Sequence, residues 1–314
     1  MAGSIKLNAP AGGSVTLNAV DTANNFVMSV PAAAGILINA DSATGAAQLP
    51  VGTTAQRPAS PVTGQLRFNS TTGGTEVYNG TAWAALGNAY VVDTLIVAGG
   101  GSGGYSNAGG GGAGGLLATT RGFIKGTTYT ITVGAGGASQ TGFGTGNDGS
   151  NSLISSFATA IGGGGGGFTS TAGRAGGSGG GGGNTAAGGS GVAGQGNAGG
   201  SNLGGGGGAG AVGGTNGGDG LSSSITGTAM FYAGGGANAF STGGAGGGGN
   251  AGVAGTANTG GGGGGWTGSG VSGAGGSGVV IISYAGAQRG TGGTVTSSGG
   301  NTIHTFTSSG TFTA

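Results

Sequence analysis

Residues 92–104 read Val-Asp-Thr-Leu-Ile-Val-Ala-Gly-Gly-Gly-Ser-Gly-Gly, so a segment of β-branched and apolar residues runs directly into a glycine run. β-Branched side chains favour strands, whereas glycine has no side chain to pack. Similar strand-like segments occupy residues 129–133, 153–161, 279–284 and 303–312, and most of them border a glycine run. A flexible linker gives no reason for such junctions. The sequence therefore predicts an all-β fold with a glycine-rich domain in which strands bracket the glycine runs.

The glycine runs themselves restrict the possible backbone structures. Collagen requires glycine at every third residue and abundant proline, and the consecutive glycines at residues 179–183 and 260–265 break that rule. A polyglycine-II-like helix, which is extended and has three residues per turn, lets neighbouring backbones hydrogen-bond directly because no side chains intervene. Ordering glycine costs much conformational entropy, so we expect such helices only as a bundle closed by β strands.

The distribution of glycine and proline divides the chain. Of the 94 glycines, 11 lie in residues 1–93 and 83 in residues 94–314, whereas all five prolines precede residue 62. We predict a short-strand repeat region at residues 1–52 and a proline-containing linker with a meander at residues 53–93. Residues 94–314 then form the glycine-rich domain, which ends in a closing hairpin.

The region before residue 94 carries strand and turn signals. Ser-Ile-Lys-Leu-Asn-Ala at residues 4–9 is echoed by Ser-Val-Thr-Leu-Asn-Ala at residues 14–19, and the alternation of apolar and polar residues predicts short strands. We expect further short strands near residues 26–30 and 35–39. Residues 53–61 form the predicted linker, since proline also restricts the residue before it. A three-stranded meander follows at residues 65–68, 75–78 and 81–84, with Phe68, Tyr78 and Trp83 as its expected packing residues.

Composition excludes several classes of partner. Charged residues make up 4% of the chain and the net charge is +1, so we expect neither nucleic-acid binding nor membrane insertion. There is no cysteine to form disulfides or thiolate metal sites. The first residues lack the basic and apolar pattern of a signal peptide, so we expect synthesis in the cytoplasm without secretion by that route.

The pattern of reactive residues predicts neither an enzyme nor a cofactor or metal site. Glycine-rich matches to phosphate loops mean little here, and no Gly-Lys-Ser or Gly-Lys-Thr is present. Ser102 and Ser178 each lie in Gly-x-Ser-x-Gly but not between a strand and a helix. His304, the only histidine, is expected in a strand near the surface, and it cannot form a multi-histidine metal site. The acids are scattered singly, which leaves a carbohydrate-cleaving fibre as a minor alternative.

Five aromatic residues interrupt or follow the glycine runs. Either they plug the ends of a glycine bundle, or they are exposed platforms that contact a receptor, because an aromatic ring offers much contact area at little entropic cost. Different members of the set could serve the two purposes. These candidate receptor-contact or bundle-end residues are Tyr105, Phe143, Phe168, Phe240 and Trp266.

Several segments of the sequence together resemble the glycine-rich domain of bacteriophage tail-fibre and receptor-binding virion proteins. They are the segment at residues 92–101, Tyr-Thr-Ile-Thr-Val-Gly-Ala-Gly-Gly at 129–137, Gly-Ser-Gly-Val-Val-Ile-Ile-Ser-Tyr at 276–284 and His-Thr-Phe-Thr-Ser-Ser-Gly-Thr-Phe-Thr at 304–313. Gly-Gln-Leu-Arg-Phe-Asn at 64–69 and Tyr-Asn-Gly-Thr-Ala-Trp at 78–83 are also similar to tail-fibre segments. The His-Thr-Phe-Thr phrase ends this chain although it can precede a glycine domain in the family. It either closes the same β domain or begins a second, truncated module.

The resemblance implies a virion protein, most simply a tail fibre or receptor-binding adhesin. In that family polyglycine helices form bundles, and loops at one end touch the bacterial receptor. The implied partners are other virion proteins, bound through the N-terminal region, and a bacterial surface glycan or outer-membrane protein. Short strands with unpaired edges favour a homotrimer. A head fibre or capsid decoration protein without receptor binding is the alternative, and an extracellular matrix protein is a third reading.

Overall fold

The computed structural model describes the strands at residues 4–8, 14–18, 40–41 and 46–47, together with residues 49–87, 89–268 and 270–314. The chain divides into two compact units, Met1–Ala84 and Ala85–Ala314. The glycine count predicts a boundary at Asp93, but that residue lies inside a strand, Ala89–Val97. The strand belongs wholly to the second unit because its apolar residues pack there, irrespective of where the glycine runs begin.

The described residues form nineteen strands and one short 3-10 helix, Thr54–Gln56. The first unit and its border contain β1 (Ser4–Asn8), β2 (Ser14–Asn18), β3 (Ala40–Asp41), β4 (Ala46–Ala47), β5 (Val51–Gly52), β6 (Leu66–Asn69), β7 (Gly74–Tyr78) and β8 (Trp83–Ala85). The second contains β9 (Ala89–Val97), β10 (Leu116–Ile124), β11 (Thr128–Thr132), β12 (Ser152–Ile154), β13 (Ala158–Ala160), β14 (Leu221–Ser223), β15 (Met230–Tyr232), β16 (Val279–Ala285), β17 (Thr294–Ser298), β18 (Asn301–Phe306) and β19 (Gly310–Thr313).

The repeated segments near the start of the chain form a hairpin. β1 and β2 pair antiparallel, with Ile5 opposite Leu17 and Leu7 opposite Val15. The strands predicted from the alternation are therefore confirmed. The strands expected near residues 26–30 and 35–39 lie outside the described residues.

The predicted meander is present and has an additional strand. β6, β7 and β8 follow one another in the sheet, and β5 pairs in parallel with β6. The linker predicted at residues 53–61 is wrong in its first part. Thr54–Gln56 forms the 3-10 helix, and Arg57 Nη2 lies 2.6 Å from Oε2 of Glu76 in β7.

The interior of this small sheet is polar, which corrects the expected packing residues. Tyr78 and Trp83 do pack together, with ring centroids 5.7 Å apart, but Phe68 is exposed. The alternate residues of β6, Arg67 and Asn69, are buried instead. They face inward because the buried carboxylate of Glu76 binds both of them as well as Arg57: Arg67 Nε lies 3.4 Å from Oε1, and Asn69 Nδ2 donates to Oε2 at 3.0 Å.

A β-sandwich anchors the second unit. The strand order of one sheet is β10-β9-β16-β18-β17 and that of the other is β13-β12-β11-β19. All pairings within these two sheets are antiparallel. β18 and β19 join different sheets of the same sandwich, so the last strands of the chain complete this domain rather than begin another.

Apolar side chains from both sheets form the main core. Its members are Val92, Ile96, Phe123, Tyr129, Ile131, Ile154, Val280, Ile282, Tyr284, Phe306 and Phe312. A second cluster covers the opposite face of the larger sheet, where Leu95, Val97, Val279, Ile281 and Ile303 pack beneath Tyr232 of β15. β9 and β16 are therefore buried on both faces, which explains their nearly continuous apolar sequences.

His304 lies inside the sandwich, so the prediction of a position near the surface is wrong. Its side chain is 0% exposed. Nδ1 is 2.7 Å from the carbonyl oxygen of Gly292, and Nε2 is 2.9 Å from the hydroxyl of Tyr284. The alternation in β18 predicts which residues share a face with His304, but it does not predict whether that face is buried. β18 lies between β16 and β17 in the larger sheet, and the second sheet covers the face that carries His304.

The glycine segments leave the sandwich and return to it. The prediction of an all-β chain with a glycine-rich domain is confirmed, and no helix is assigned to the described residues of the glycine segments. These segments are joined instead by hydrogen bonds between backbones. Successive N–H groups from Gly99 to Gly104 donate to Ser150, Gly276, Gly112, Asn147, Gly273 and Gly109. Residues three apart along this segment therefore donate to the same neighbouring segment.

Candidate functional site

The turns farthest along the glycine segments from the sandwich gather around one central turn, residues 105–108. Ser106 N donates to Trp266 O at 2.8 Å, and the carbonyl of Ser106 accepts from Thr169 N at 3.1 Å. Asn107 O and Ala108 O accept from Asn184 N and Ala239 N, both at 3.2 Å. We call this set of turns the tip; it comprises residues 105–108, 138–145, 168–172, 184–187, 201–203, 238–242 and 266–268.

Several turns of the tip depend on residues with positive φ that are not glycine. They are Ser106 (φ 73°), Asn107 (φ 44°), Thr169 (φ 44°), Thr185 (φ 61°), Asn202 (φ 55°) and Leu203 (φ 56°). Such conformations cost roughly 1–3 kcal/mol each and persist only where the surroundings impose them. Sequence reasoning missed these positions. The sequence feature that could have revealed them is the short polar pairs that interrupt the glycine runs. Asparagine and serine are common in tight turns, and asparagine adopts positive φ more readily than most other residues do.

Two of the five predicted aromatic residues hold the tip together. Tyr105 is buried, its hydroxyl donates to Gly268 O at 2.6 Å, and its ring meets that of Phe143 edge-on with centroids 5.9 Å apart. Trp266 is half-buried, and its backbone N–H donates to Gly104 O at 3.1 Å. Its ring lies directly on Gly252, where an added Cβ would be 2.6 Å from Cζ3. These two side chains therefore pack within the tip, against Phe143 and Gly252 respectively.

The other three are more accessible. Phe143 is 79% exposed and Phe240 is 68% exposed, whereas Phe168 is half-buried. Their turns are nevertheless defined by hydrogen bonds. Phe240 N donates to Asn238 Oδ1 and Phe168 N donates to Thr171 Oγ1, both at 2.8 Å. Gln140 Nε2 donates to Thr145 O at 2.9 Å across the turn that carries Phe143. The tip thus presents two large apolar side chains to solvent on turns fixed by hydrogen bonds.

The serines of the Gly-x-Ser-x-Gly motifs are inaccessible. Ser102 and Ser178 are both 0% exposed between glycine segments, and Ser102 Oγ accepts from Asn147 N at 2.8 Å. Among the described residues, no group of three or more His, Cys, Asp or Glu side chains is placed to hold a metal ion. In the same part of the chain, no helix is long and apolar enough to cross a membrane.

Three residues of the β-sheets have shifted pKa values. The hydrogen bond from Arg57 lowers the pKa of Glu76 in the small sheet. Burial raises the pKa of Tyr90 in β9 to about 12, and burial also raises that of Tyr232 in β15.

Comparison with known proteins identifies the family. A family model described as a glycine-rich domain matches residues 71–285, which is more than half of the chain. No curated protein and no solved structure matches the chain. The matched span includes the glycine segments, the tip and the sandwich strands β9 to β13 and β16. The chain therefore belongs to the glycine-rich domain family.

Proposed function

We propose that this chain is a bacteriophage virion protein, a tail-fibre or receptor-binding subunit that displays its tip to the host surface. The observation that carries the proposal is the exposure of Phe143 and Phe240 on hydrogen-bonded turns at the end of a glycine scaffold. An exposed aromatic ring offers a partner a large contact area, and rigid presentation lowers the entropic cost of binding.

The scaffold is proposed to be a polyglycine-II-like bundle. The hydrogen bonds that rotate among three neighbours with a period of three residues support this geometry, which has three residues per turn. Glycine is required because backbones approach closely: a Cβ added at Gly262 would lie 2.7 Å from the carbonyl carbon of Gly111. In such a bundle backbone bonds hold the glycine segments together, and side chains such as Asn238 and Thr171 additionally fix the tip turns. Exposed side chains of those turns, such as Phe143 and Phe240, are then free to vary.

The proposed receptor is a bacterial surface glycan or outer-membrane protein. The chain carries few charges, with seven Lys and Arg against six Asp and Glu, so long-range electrostatic steering contributes little. Aromatic platforms suit both kinds of receptor, since a ring stacks on a sugar face or fills an apolar pocket. We assign attachment to other virion proteins to residues 1–52, whose described residues include only Val51 and Gly52 of the small sheet.

A homotrimer is part of the proposal, and the small sheet supports self-association. Among the described residues 49–84 no apolar side chain is buried, while Val51, Leu66 and Phe68 are 65%, 42% and 36% exposed. A sheet with a polar interior and an apolar exterior gains stability when copies of the chain cover that exterior.

Sedimentation equilibrium of the full chain tests the trimer. We expect three times the chain mass of 28.0 kDa. Leu66→Glu should dissociate the assembly, whereas Val212→Glu, at an exposed valine of the glycine-rich unit, should not. A monomeric wild-type chain would contradict the proposal.

Binding of the labelled chain to a panel of bacterial strains tests the receptor function. We expect binding to at least one strain, and at least a tenfold loss in Phe143→Ser/Phe240→Ser, since interface aromatics often contribute 2 kcal/mol or more. Val192→Ser/Val212→Ser removes two exposed apolar side chains outside the tip and serves as the control. Binding to no strain, together with immunogold labelling on the capsid, would favour the head-fibre or decoration alternative.

A further inference from the structure

A cleft of about 520 Å³ opens on the larger sheet of the sandwich, on the face opposite the main core. Its floor includes three residues from neighbouring strands in one row, because Asp93 pairs with Thr120 on one side and with Ser283 on the other. Directly paired residues in antiparallel strands point to the same face of a sheet. The row therefore lines the cleft as a continuous polar strip.

Two hairpin turns form the walls. One is residues 223–227, between β14 and β15, and the other is residues 298–301, between β17 and β18. The second reverses through Gly299 and Gly300, both with positive φ. The two turns touch, since a Cβ added at Gly227 would overlap the side chain of Ser298. Ile225 packs against the apolar cluster beneath it and so anchors the first wall.

The lining specifies the chemistry of a ligand. Hydroxyl side chains predominate, and they are joined by the carboxylate of Asp93 and the amide of Asn301. Thr120 Oγ1 donates to Asp93 Oδ1 at 2.6 Å, which orients a carboxylate that can accept further hydrogen bonds. No residue that lines the cleft is Lys, Arg or His, so nothing there would neutralise an anionic ligand.

We infer that this cleft is a binding site for a neutral saccharide unit. Sugar hydroxyls both donate and accept, as the lining hydroxyls do, and they donate readily to a carboxylate. Ala118, which is exposed, and Ile225, which is half-buried, add apolar surface for the carbon face of a sugar ring. The volume lies within the usual range of small-molecule sites. The cleft is formed by the sandwich and contains no residue of the tip, so it is a site separate from the proposed receptor contact.

The test is a titration of the full chain, isotopically labelled for amide resonances. The probes are methyl glycosides of glucose, galactose, mannose and N-acetylglucosamine, with N-acetylneuraminic acid and glucose 6-phosphate as anionic comparators. At least one neutral glycoside should shift the resonances of residues 223–227 and 298–301, and the anionic sugars should bind at least tenfold more weakly. If no neutral glycoside shifts these resonances at tens of millimolar, or if anionic sugars bind equally well, the inference is overturned.

Variants separate the role of the carboxylate from a structural effect. Asp93→Asn should weaken glycoside binding at least tenfold, because a charge-assisted hydrogen bond is lost. Asp219→Asn removes the same charge outside the cleft and should bind as the wild type does. In each variant, resonances away from the substituted residue should stay unchanged, which verifies folding. Equal affinity of Asp93→Asn and wild type would overturn the inference. No host cell is involved, so this result is independent of whether the tip binds a receptor.

Discussion

Substitution of Gly262 tests whether the glycine segments pack through their backbones. Gly262 N donates to Gly234 O at 2.9 Å, and its own carbonyl accepts from Gly249 N at 2.9 Å. A Cβ added there would lie 2.7 Å from Gly111 C and 2.7 Å from Gly236 N, and closer still to Gly111 O. Gly111 and Gly236 are themselves joined by a hydrogen bond from Gly236 N to Gly111 O. Even a methyl group must therefore separate two hydrogen-bonded segments.

The cost follows from two effects. Overpacking a buried site typically costs about 1–3 kcal/mol, and a broken buried hydrogen bond adds about 1–3 kcal/mol for groups left without partners. We therefore expect Gly262→Ala to lower the free energy of unfolding by roughly 2–6 kcal/mol, and Gly262→Val by more. At about 2–4 °C per kcal/mol for a unit of this size, the Tm of Gly262→Ala should fall by at least about 4 °C.

Thermal unfolding of the full chain, followed by circular dichroism, measures this effect. Gly214 is the matched control, because a Cβ added there would meet nothing within 4 Å. Gly214→Ala should leave the Tm unchanged or raise it slightly, since alanine reduces the entropy of the unfolded chain. If Gly262→Ala and Gly214→Ala melt alike, backbone packing of this segment is refuted.

Three further predictions concern order and pH. Limited proteolysis should leave residues 99–278 intact because their backbone groups are paired between segments, and rapid digestion throughout that range would indicate a flexible linker instead. The pKa of Glu76 is lowered in the folded protein, so its carboxylate stabilises the small sheet at any pH above the ordinary pKa of glutamate. This contribution to the free energy of unfolding is lost as the pH falls through the pKa of the folded state. Urea unfolding of Glu76→Gln should therefore lack that acid dependence. Tyr90 has a raised native pKa, so the free energy of unfolding should fall as the pH rises from 10.0 towards about 12; an equal fall in Tyr90→Phe would contradict this assignment.

Local patterns in the sequence predict the strands well because strand formation depends on nearby residues. The repeat at residues 4–9 and 14–19 pairs as β1 and β2, and the Asn-Gly turn joins β7 to β8. The phrase around His304 forms strands β18 and β19. In each case β-branched residues and turn residues act over a few positions.

The buried face of a strand was less predictable. Alternation in β6 separates Leu66 and Phe68 from Arg67 and Asn69, but it does not say which pair faces inward. The ion pairs of Glu76 with Arg57 and Arg67 settle that choice, and both Glu76 and Arg57 lie outside β6. The burial of His304 was missed for the same reason, since the covering sheet contains residues 128–160 and 310–313.

The sequence by itself determined that this chain is all-β, that its glycine segments cannot form collagen, and that aromatic residues lie where those segments end. Only the tertiary structure decided that Tyr105 is buried while Phe143 is exposed, and which glycine segments are neighbours. Glycine has no side chain, so every glycine segment offers the same N–H and C=O groups to every other. Partners among such segments are therefore selected by the strands and turns that hold their ends, and that selection exists only once the whole domain has folded.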